Sequence, residues 1–241
     1  MGIEDKYIVC IVAAAGRGLR LGREMPKSFY PVEERPLLAH SLDSLMRWGG
    51  IDEFVVMVPA GWEEKAGEVV AECDGKATIR VVAGGETRQE SVEIGLREAG
   101  EADIVVIHDG CRPFVSASLI DRVVLEAERS GAAVPVLQAT DTLGRLRGEE
   151  LETIVPRERI VSVQTPQAFR MDVLRKAYTT SEDVIRTSTD ESSLVLAAGL
   201  PVRVVDGERW NIKVTVKDDI GISSSFLSEC VLDMENSGEE G

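Results

Sequence analysis

The segment YIVCIVAAAG (7–16) is an unbroken apolar run, rich in β-branched residues, and it stops at a glycine. A run this short with no polar face predicts a parallel strand buried from both sides, not an amphipathic helix. PLLAHSLDSLMRWGG follows at 36–50, with Leu38, Leu42, Leu45 and Met46 at helical spacing and Gly49 and Gly50 as its stop. The alternation then repeats along the chain. Strands are predicted at 54–59, 78–85, 103–110 and 132–137, and helices at 62–72, 87–100 and 118–131. Thr87 and Glu90 have the spacing of a capping box, which marks where the helix over 87–100 begins. Strands alternating with helices of this length constrain the fold to βαβ units: an α/β architecture with a mostly parallel sheet covered on both faces.

The alternation breaks between Gln138 and Gln164, where charged and apolar residues alternate around Gly148. That pattern predicts a β-hairpin arm projecting from the domain, either a dimerisation element or a surface hairpin with no partner. Helices are expected at 171–180 and 189–199, strands at 201–207 and 210–215, and a closing helix at 218–232. One domain over 1–230 accounts for all of these elements, and the acidic tail 231–241 is expected to fray. No apolar run approaches the roughly 18 residues of a membrane-spanning helix, and MGIEDKYIVC lacks the apolar core of a signal peptide, so the expected location is the cytoplasm. Cys10, Cys73, Cys111 and Cys230 form no CxxC pair, which points to reduced thiols rather than a zinc site or a disulfide framework.

The chain carries 42 acidic and 27 basic residues, a net charge of −15. That balance argues against nucleic-acid binding, which depends on neutralising phosphates with Lys and Arg. Any anionic ligand must instead meet a local concentration of cations. One such concentration follows the first strand, where AAAGRGLRLGREMPKSF (13–29) places Arg17, Arg20, Arg23 and Lys27 within a dozen positions, opposed only by Glu24. A strand, a glycine-rich turn and basic residues together suit phosphate, because glycines let backbone N–H groups approach its oxygens. The P-loop pattern GxxxxGK followed by Ser or Thr is absent, since Gly22 precedes Arg23. The dinucleotide fingerprint matches Gly16 and Gly18 but meets Leu21 at its third glycine, and the second strand ends in Val58-Pro59-Ala60 with no ribose carboxylate. Pro26 biases Met25 toward extended geometry, so the loop is not expected to run directly into a helix. It presents Lys27 from a stiff corner, where Arg20 and Lys27 could face a polyphosphate together. A solvated basic loop is the alternative.

With these residues in place, the sequence resembles the nucleotidyltransferases whose first strand is followed by AAGxGxRxxxxxPK. GGETRQESV, HDGCRP, TDT, TPQAF, TDESS and NIKVT follow in the order and spacing of the 2-C-methyl-D-erythritol 4-phosphate cytidylyltransferase family, over about Tyr7 to Leu227. The resemblance implies a Rossmann-like nucleotide-diphospho-sugar transferase fold, with 138–164 as a dimerisation arm. It implies a reaction in which the phosphate of methylerythritol phosphate attacks the α-phosphorus of CTP and magnesium pyrophosphate leaves. Arg20, Lys27 and Lys213 would then stabilise the α-phosphate. Ala14, Ala15, Gly16, Gly18, Gly85, Glu86 and Ser91 would line the nucleotide, and Asp109 would contact ribose or Mg2+. Gly110, Thr165 and Thr189 would lie near the alcohol phosphate, which Thr142 and Arg157 would reach across a homodimer.

Asp109 could equally serve as a structural partner of Arg112 or Arg88. Two departures from the family stand out: Gly110 and Cys111 occupy positions usually held by two alanines, and PKSFYPV replaces the commoner PKQY. Cys111 is expected to be a small buried thiol, because attack by a substrate phosphate needs no enzyme nucleophile. His40 and His108 are expected to be structural. Rival readings are a ribitol 5-phosphate cytidylyltransferase, a sugar 1-phosphate nucleotidyltransferase, and a noncatalytic nucleotide-binding regulator.

Overall fold

The computed structural model describes residues 3–16, 25–73, 75–216, 218–221 and 223. The first half delivers the predicted alternation: β1 (Ile8–Ala13), a hairpin of β2 (Pro31–Val32) and β3 (Arg35–Pro36), α1 (Leu37–Met46), β4 (Glu53–Val58), α2 (Glu63–Ala71), β5 (Thr78–Ala83), α3 (Arg88–Glu98), β6 (Ile104–Asp109) and α4 (Ala117–Ser130). Then come β7 (Ala132–Gln138), β8 (Leu143–Arg147), β9 (Glu150–Val155), β10 (Val161–Val163), β11 (Gln167–Arg170), α5 (Met171–Ala177), α6 (Glu182–Thr187), α7 (Glu191–Ala197) and β12 (Arg203–Asp206).

Among the described residues β1, β4, β5, β6, β7, β10, β11 and β12 form one eight-stranded sheet. β5, β4, β1 and β6 lie side by side in parallel. β11 runs antiparallel between β6 and β7, while β12 pairs in parallel with β7. β10 pairs antiparallel with the other end of β7. Between the facing pairs Val163–Val136 and Ala168–Ala133 the β10–β11 edge spends more residues than β7 does, and the excess bends out at Thr165 and Pro166. That bend faces the end of β6.

Period-2 alternation divides the strand side chains between two cores. Ile8, Cys10, Val12, Phe54, Val56, Val58, Ile104 and Val106 pack under α1, α2 and α4, which contribute Leu38, Leu42, Leu45, Val69, Leu119 and Val123. Val9, Ile11, Val55, Met57, Val105 and Ile107 pack under α3, α5 and α7, through Val92, Leu174, Leu194 and Val195. Each fully buried Val, Leu or Ile contributes about 1.5–3 kcal/mol, so the two layers hold the sheet rigid and fix where its C-terminal edge lies.

Some expectations need correction. Residues 210–215 form no strand. Their backbone groups are engaged elsewhere: Arg112 Nη1 and Gln164 Nε2 donate to the Asn211 carbonyl at 2.8 and 3.2 Å, and Asp219 Oδ2 accepts from Thr215 N and Val216 N at 2.6 and 2.9 Å. The interval 138–164 is only partly an arm. β8 and β9 form the hairpin, turning at Gly148 with φ +61°, but β10 returns to the main sheet. β11 and α6 fall where no element was expected. Pro26 is followed at once by a single 3-10 turn, Lys27–Phe29. The tail and most of the closing helix lie outside the described residues, although 218–221 are helical.

Candidate active site

The loops after β1, β4, β5 and β6 converge at the C-terminal edge of the sheet, the usual ligand edge of an open α/β fold. Backbone bonds stitch them together: Ala14 N to Met57 O at 2.9 Å, Gly84 N to Val58 O at 2.7 Å and Gly110 N to Ala13 O at 3.0 Å. Ser28 Oγ donates to the Ala14 carbonyl at 2.9 Å, which ties the turn carrying Lys27 to the loop after β1. Gly84 lies so close to Ala15 that a β-carbon there would sit 2.5 Å from the Ala15 Cβ. The two loops therefore make one continuous wall. Ser91, at the start of α3, stands behind it, accepting from Gly85 N at 3.1 Å and donating to Thr87 O at 2.8 Å. The predicted capping box of Thr87 and Glu90 is present and starts that helix.

Beside this wall an open cavity of about 460 Å³ lies between the end of β6, the bend at Thr165 and the N-terminus of α7. Its centre of charge is Asp109, only 5% exposed. Lys213 Nζ stands 2.8 Å from Oδ2, Arg112 Nε 3.3 Å from the same oxygen, and Arg88 Nε 3.6 Å from Oδ1. Burial by itself would raise the Asp109 pKa, but Lys213, Arg88 and Arg112 outweigh it and hold the carboxyl well below the usual range. Lys27 is half-buried beside Cys111 and shares the field of Lys213 and Asp109; burial lowers its pKa from the ordinary lysine value. Burial likewise pushes the Cys111 thiol up, as expected for an inert packing residue.

Beneath the cavity His108 is completely buried, and desolvation lowers its pKa to about 4, so the ring is neutral. Its Nε2 lies 3.0 Å from the Arg112 carbonyl and must carry the proton. Nδ1 then accepts from Thr165 Oγ1, 3.3 Å away, which itself accepts from Asp109 N at 3.1 Å. Asn211 Nδ2 donates to the Thr165 carbonyl at 2.8 Å, and Val214 N to Cys111 O at 3.0 Å, fixing Lys213 over Asp109. Across the cavity Asp190 caps α7, with its own box to Ser193, and accepts from Gln167 Nε2 at 2.7 Å.

The family comparison agrees with this architecture. The model of the family described as 2-C-methyl-D-erythritol 4-phosphate cytidylyltransferase matches residues 8–229. The enzyme of that name from Alkaliphilus metalliredigens is 38% identical over 233 residues, 95% of this chain and 96% of its own. The one from Nocardia farcinica is 39% identical over 226 residues, covering 92% and 95%. Among solved structures, the cytidylyltransferase of that name from Thermus thermophilus superposes with a TM-score of 0.74 at 36% identity, covering 92% of this chain and 98% of its own. The chain belongs to the 2-C-methyl-D-erythritol 4-phosphate cytidylyltransferase family. It is therefore a nucleotidyltransferase with the α/β fold of that family.

Of the site residues expected in this cytidylyltransferase, Asp109, Thr165, Thr189 and Lys213 line the cavity. Ala14, Ala15, Gly16, Gly85, Glu86 and Ser91 belong to the adjoining wall or its rim. Gly110 packs under that wall, where a β-carbon would come within 2.9 Å of the Ala14 Cβ. Thr142 and Arg157 are exposed at the base of the arm, outside their own chain's cavity. Arg20 and Gly18 lie outside the described residues. Arg88, Gln167 and Asp190 also line the cavity, although nothing in GGETRQESV, TPQAF and TDESS singled them out from their neighbours. Arg112 and Arg88 do pair with Asp109, and both also line the cavity.

Proposed function

We propose that this chain transfers the cytidylyl group of CTP to 2-C-methyl-D-erythritol 4-phosphate, in isoprenoid biosynthesis. The observation that carries the reading is the carboxylate Asp109 shared by three cations at the mouth of a cavity that adjoins a glycine-lined wall. A phosphate oxygen of the alcohol substrate attacks the α-phosphorus, the bond to the β-phosphate breaks, and pyrophosphate leaves with the electron pair. No enzyme nucleophile takes part. Lys27, Lys213 and Arg20 bind the triphosphate and stabilise charge on the crowded α-phosphate, a task of positioning and electrostatics. The backbone at Ala14, Ala15 and Gly16 with Gly85 and Glu86 flanks the cytosine. The Ser91 hydroxyl already spends its proton on Thr87, so what it keeps for the base is an acceptor lone pair, suited to the 4-amino group of cytosine.

Among the described residues no cluster of three or more His, Cys, Asp and Glu could hold a metal by itself. Asp109 does not fit a direct magnesium ligand as it stands, since Lys213 and Arg112 engage its Oδ2 and Arg88 faces its Oδ1, so the magnesium this reading calls for would rest on triphosphate oxygens and water. When bound, magnesium would neutralise the leaving pyrophosphate. We further propose a homodimer, in which Thr142 and Arg157 of a second copy complete the alcohol-phosphate site. The strongly exposed Leu146 and Leu151, 67% and 62% accessible on the arm, support that assembly. Among the described residues no helix is long and apolar enough to cross a membrane, and the cytoplasm is the proposed location.

A pyrophosphate-release assay crossing CTP, UTP, GTP and ATP with methylerythritol phosphate and ribitol 5-phosphate tests the reading. Release with CTP and methylerythritol phosphate is expected. Activity with ribitol phosphate alone overturns the substrate assignment, and release with no pair points to a noncatalytic regulator.

A further inference from the structure

Glu191 takes no part in the chemistry described so far, yet it is an acid only 1% exposed at the first turn of α7. Both of its oxygens accept from Arg88 Nη1, at 2.9 and 2.8 Å. The same Arg88 reaches Asp109 only at 3.6 Å through Nε, and its Nη2 is buried without a hydrogen-bond partner. The guanidinium thus stands between two carboxylates and leans toward the one away from the reacting centre. Asp109 in turn keeps its short contact, 2.8 Å, for Lys213.

This arrangement is a balance of competing ion pairs. A guanidinium facing one buried carboxylate prefers the two-pronged geometry with short bonds. Were Arg88 free to adopt it with Asp109, the carboxylate would turn to present both oxygens to Arg88 and abandon Lys213. Glu191 holds Arg88 back. We propose that Glu191 is a positioning residue for the transfer reaction: by engaging Arg88 it leaves Asp109 to hold Lys213 over the cavity. Glu191 touches no substrate in this account, and its action passes entirely through Arg88. The assignment of a catalytic consequence rests on the cytidylyl-transfer reading, whereas the geometric consequence does not.

The test uses Glu191→Gln, Glu191→Asp and the double variant Arg88→Gln/Glu191→Gln in the full chain, with kcat expressed per folded protein and thermal unfolding recorded alongside. Glu191→Gln should lower kcat about tenfold while KM for CTP stays within about threefold, because a coupling between contacting charges is disturbed and the nucleotide wall is not. Glu191→Asp should recover part of that loss. Removing the released guanidinium in Arg88→Gln/Glu191→Gln should raise kcat at least threefold above Glu191→Gln alone, a rescue that a general loosening of the fold does not produce. A ligand-free crystal structure of Glu191→Gln should show Arg88 closing on Asp109 to about 2.8 Å and Lys213 displaced; if that variant does not fold, Glu191→Asp, with its shorter carboxylate, should show the same shift in part. An unchanged Lys213–Asp109 contact, or a double variant no better than the single one, overturns the proposal. If the wild-type chain proves inactive on CTP and methylerythritol phosphate, the functional reading fails, and the crystal structure still decides the geometry.

Discussion

The two edges of the central sheet carry opposite ionic designs. At the N-terminal edge one cation is shared by carboxylates: Arg80 pairs with Glu53 and, at 2.8 Å, with Glu98, while Tyr7 Oη donates to Glu53 at 2.6 Å. At the C-terminal edge one carboxylate, Asp109, is shared by Lys213, Arg112 and Arg88, with Lys27 close by. Among the described residues Glu191, the α7 cap Asp190 and Asp219 also stand near these cations, so what distinguishes this edge is not an excess of cations but their convergence on one buried carboxylate beside an open cavity. In a chain of net charge −15 the first design is what composition favours, and it is saturated by its own partners. The second runs against composition, and under the proposed function its cations face the phosphates of the substrates. Ion pairs that close on themselves leave no charge facing outward, whereas cations gathered beside an open cavity can meet an anionic ligand.

The sharpest break of this contrast is Lys27→Ala, which should lower kcat by about 10² or more, the effect of losing one donor that stabilises transition-state charge. Steady-state kinetics with CTP and methylerythritol phosphate decides it, and near-normal turnover removes Lys27 from the mechanism. Next in size is a pH effect confined to the floor of the active edge. His108 is neutral when folded, with a pKa near 4, but titrates near 6.5 when unfolded. The unfolded chain therefore binds more protons between these values, and stability falls as pH drops through that window, by about 2 kcal/mol from pH 7 to 5. Urea midpoints at the two pH values measure it, and His108→Gln should flatten the slope; an equal slope in both proteins would assign it to other groups.

Gly84→Ala should raise KM for CTP about tenfold, since a single methyl enters the wall against Ala15 and Ser91 and overpacking costs of order 1–3 kcal/mol. An unaltered KM with intact folding would show that the wall gives way. Arg80→Ala, at the opposite edge, should cost about 1 kcal/mol of stability in chemical denaturation, because Arg80 is partly exposed and its ion pairs are screened by solvent. Its kcat/KM should remain within about twofold of wild type, and a large loss would erase the distinction between the edges.

The parallel half of the fold was legible because β1, β4 and β6 are buried on both sides and read as continuous apolar runs between amphipathic helices, while β5, only partly buried at the sheet edge, still reads as a strand through its β-branched run. β10 and β11 were hidden: three or four residues each, antiparallel, and joined through a bend at Thr165–Pro166 whose shape depends on β6 and Asn211. The segment 210–215 failed as a strand for a related reason. Its apolar alternation is real, but the side chains of Arg112, Gln164 and Asp219 capture its backbone. At the site, Lys27, Asp109 and Lys213 stood out as charged residues at strand ends and inside motifs. Arg88 and Glu191 are 103 positions apart, and only the fold, which brings the start of α3 to the start of α7, reveals that they meet. Local pattern announces a charge, but not which of several charges will face it.

The contrast between the edges is tested most directly by measuring pyrophosphate release from CTP and methylerythritol phosphate for Lys213→Ala and Arg80→Ala in the same assay, each corrected for folded protein. The account predicts a loss of about 10² or more for Lys213→Ala and turnover within about twofold of wild type for Arg80→Ala. Comparable losses in both variants, or normal turnover in Lys213→Ala, would contradict it.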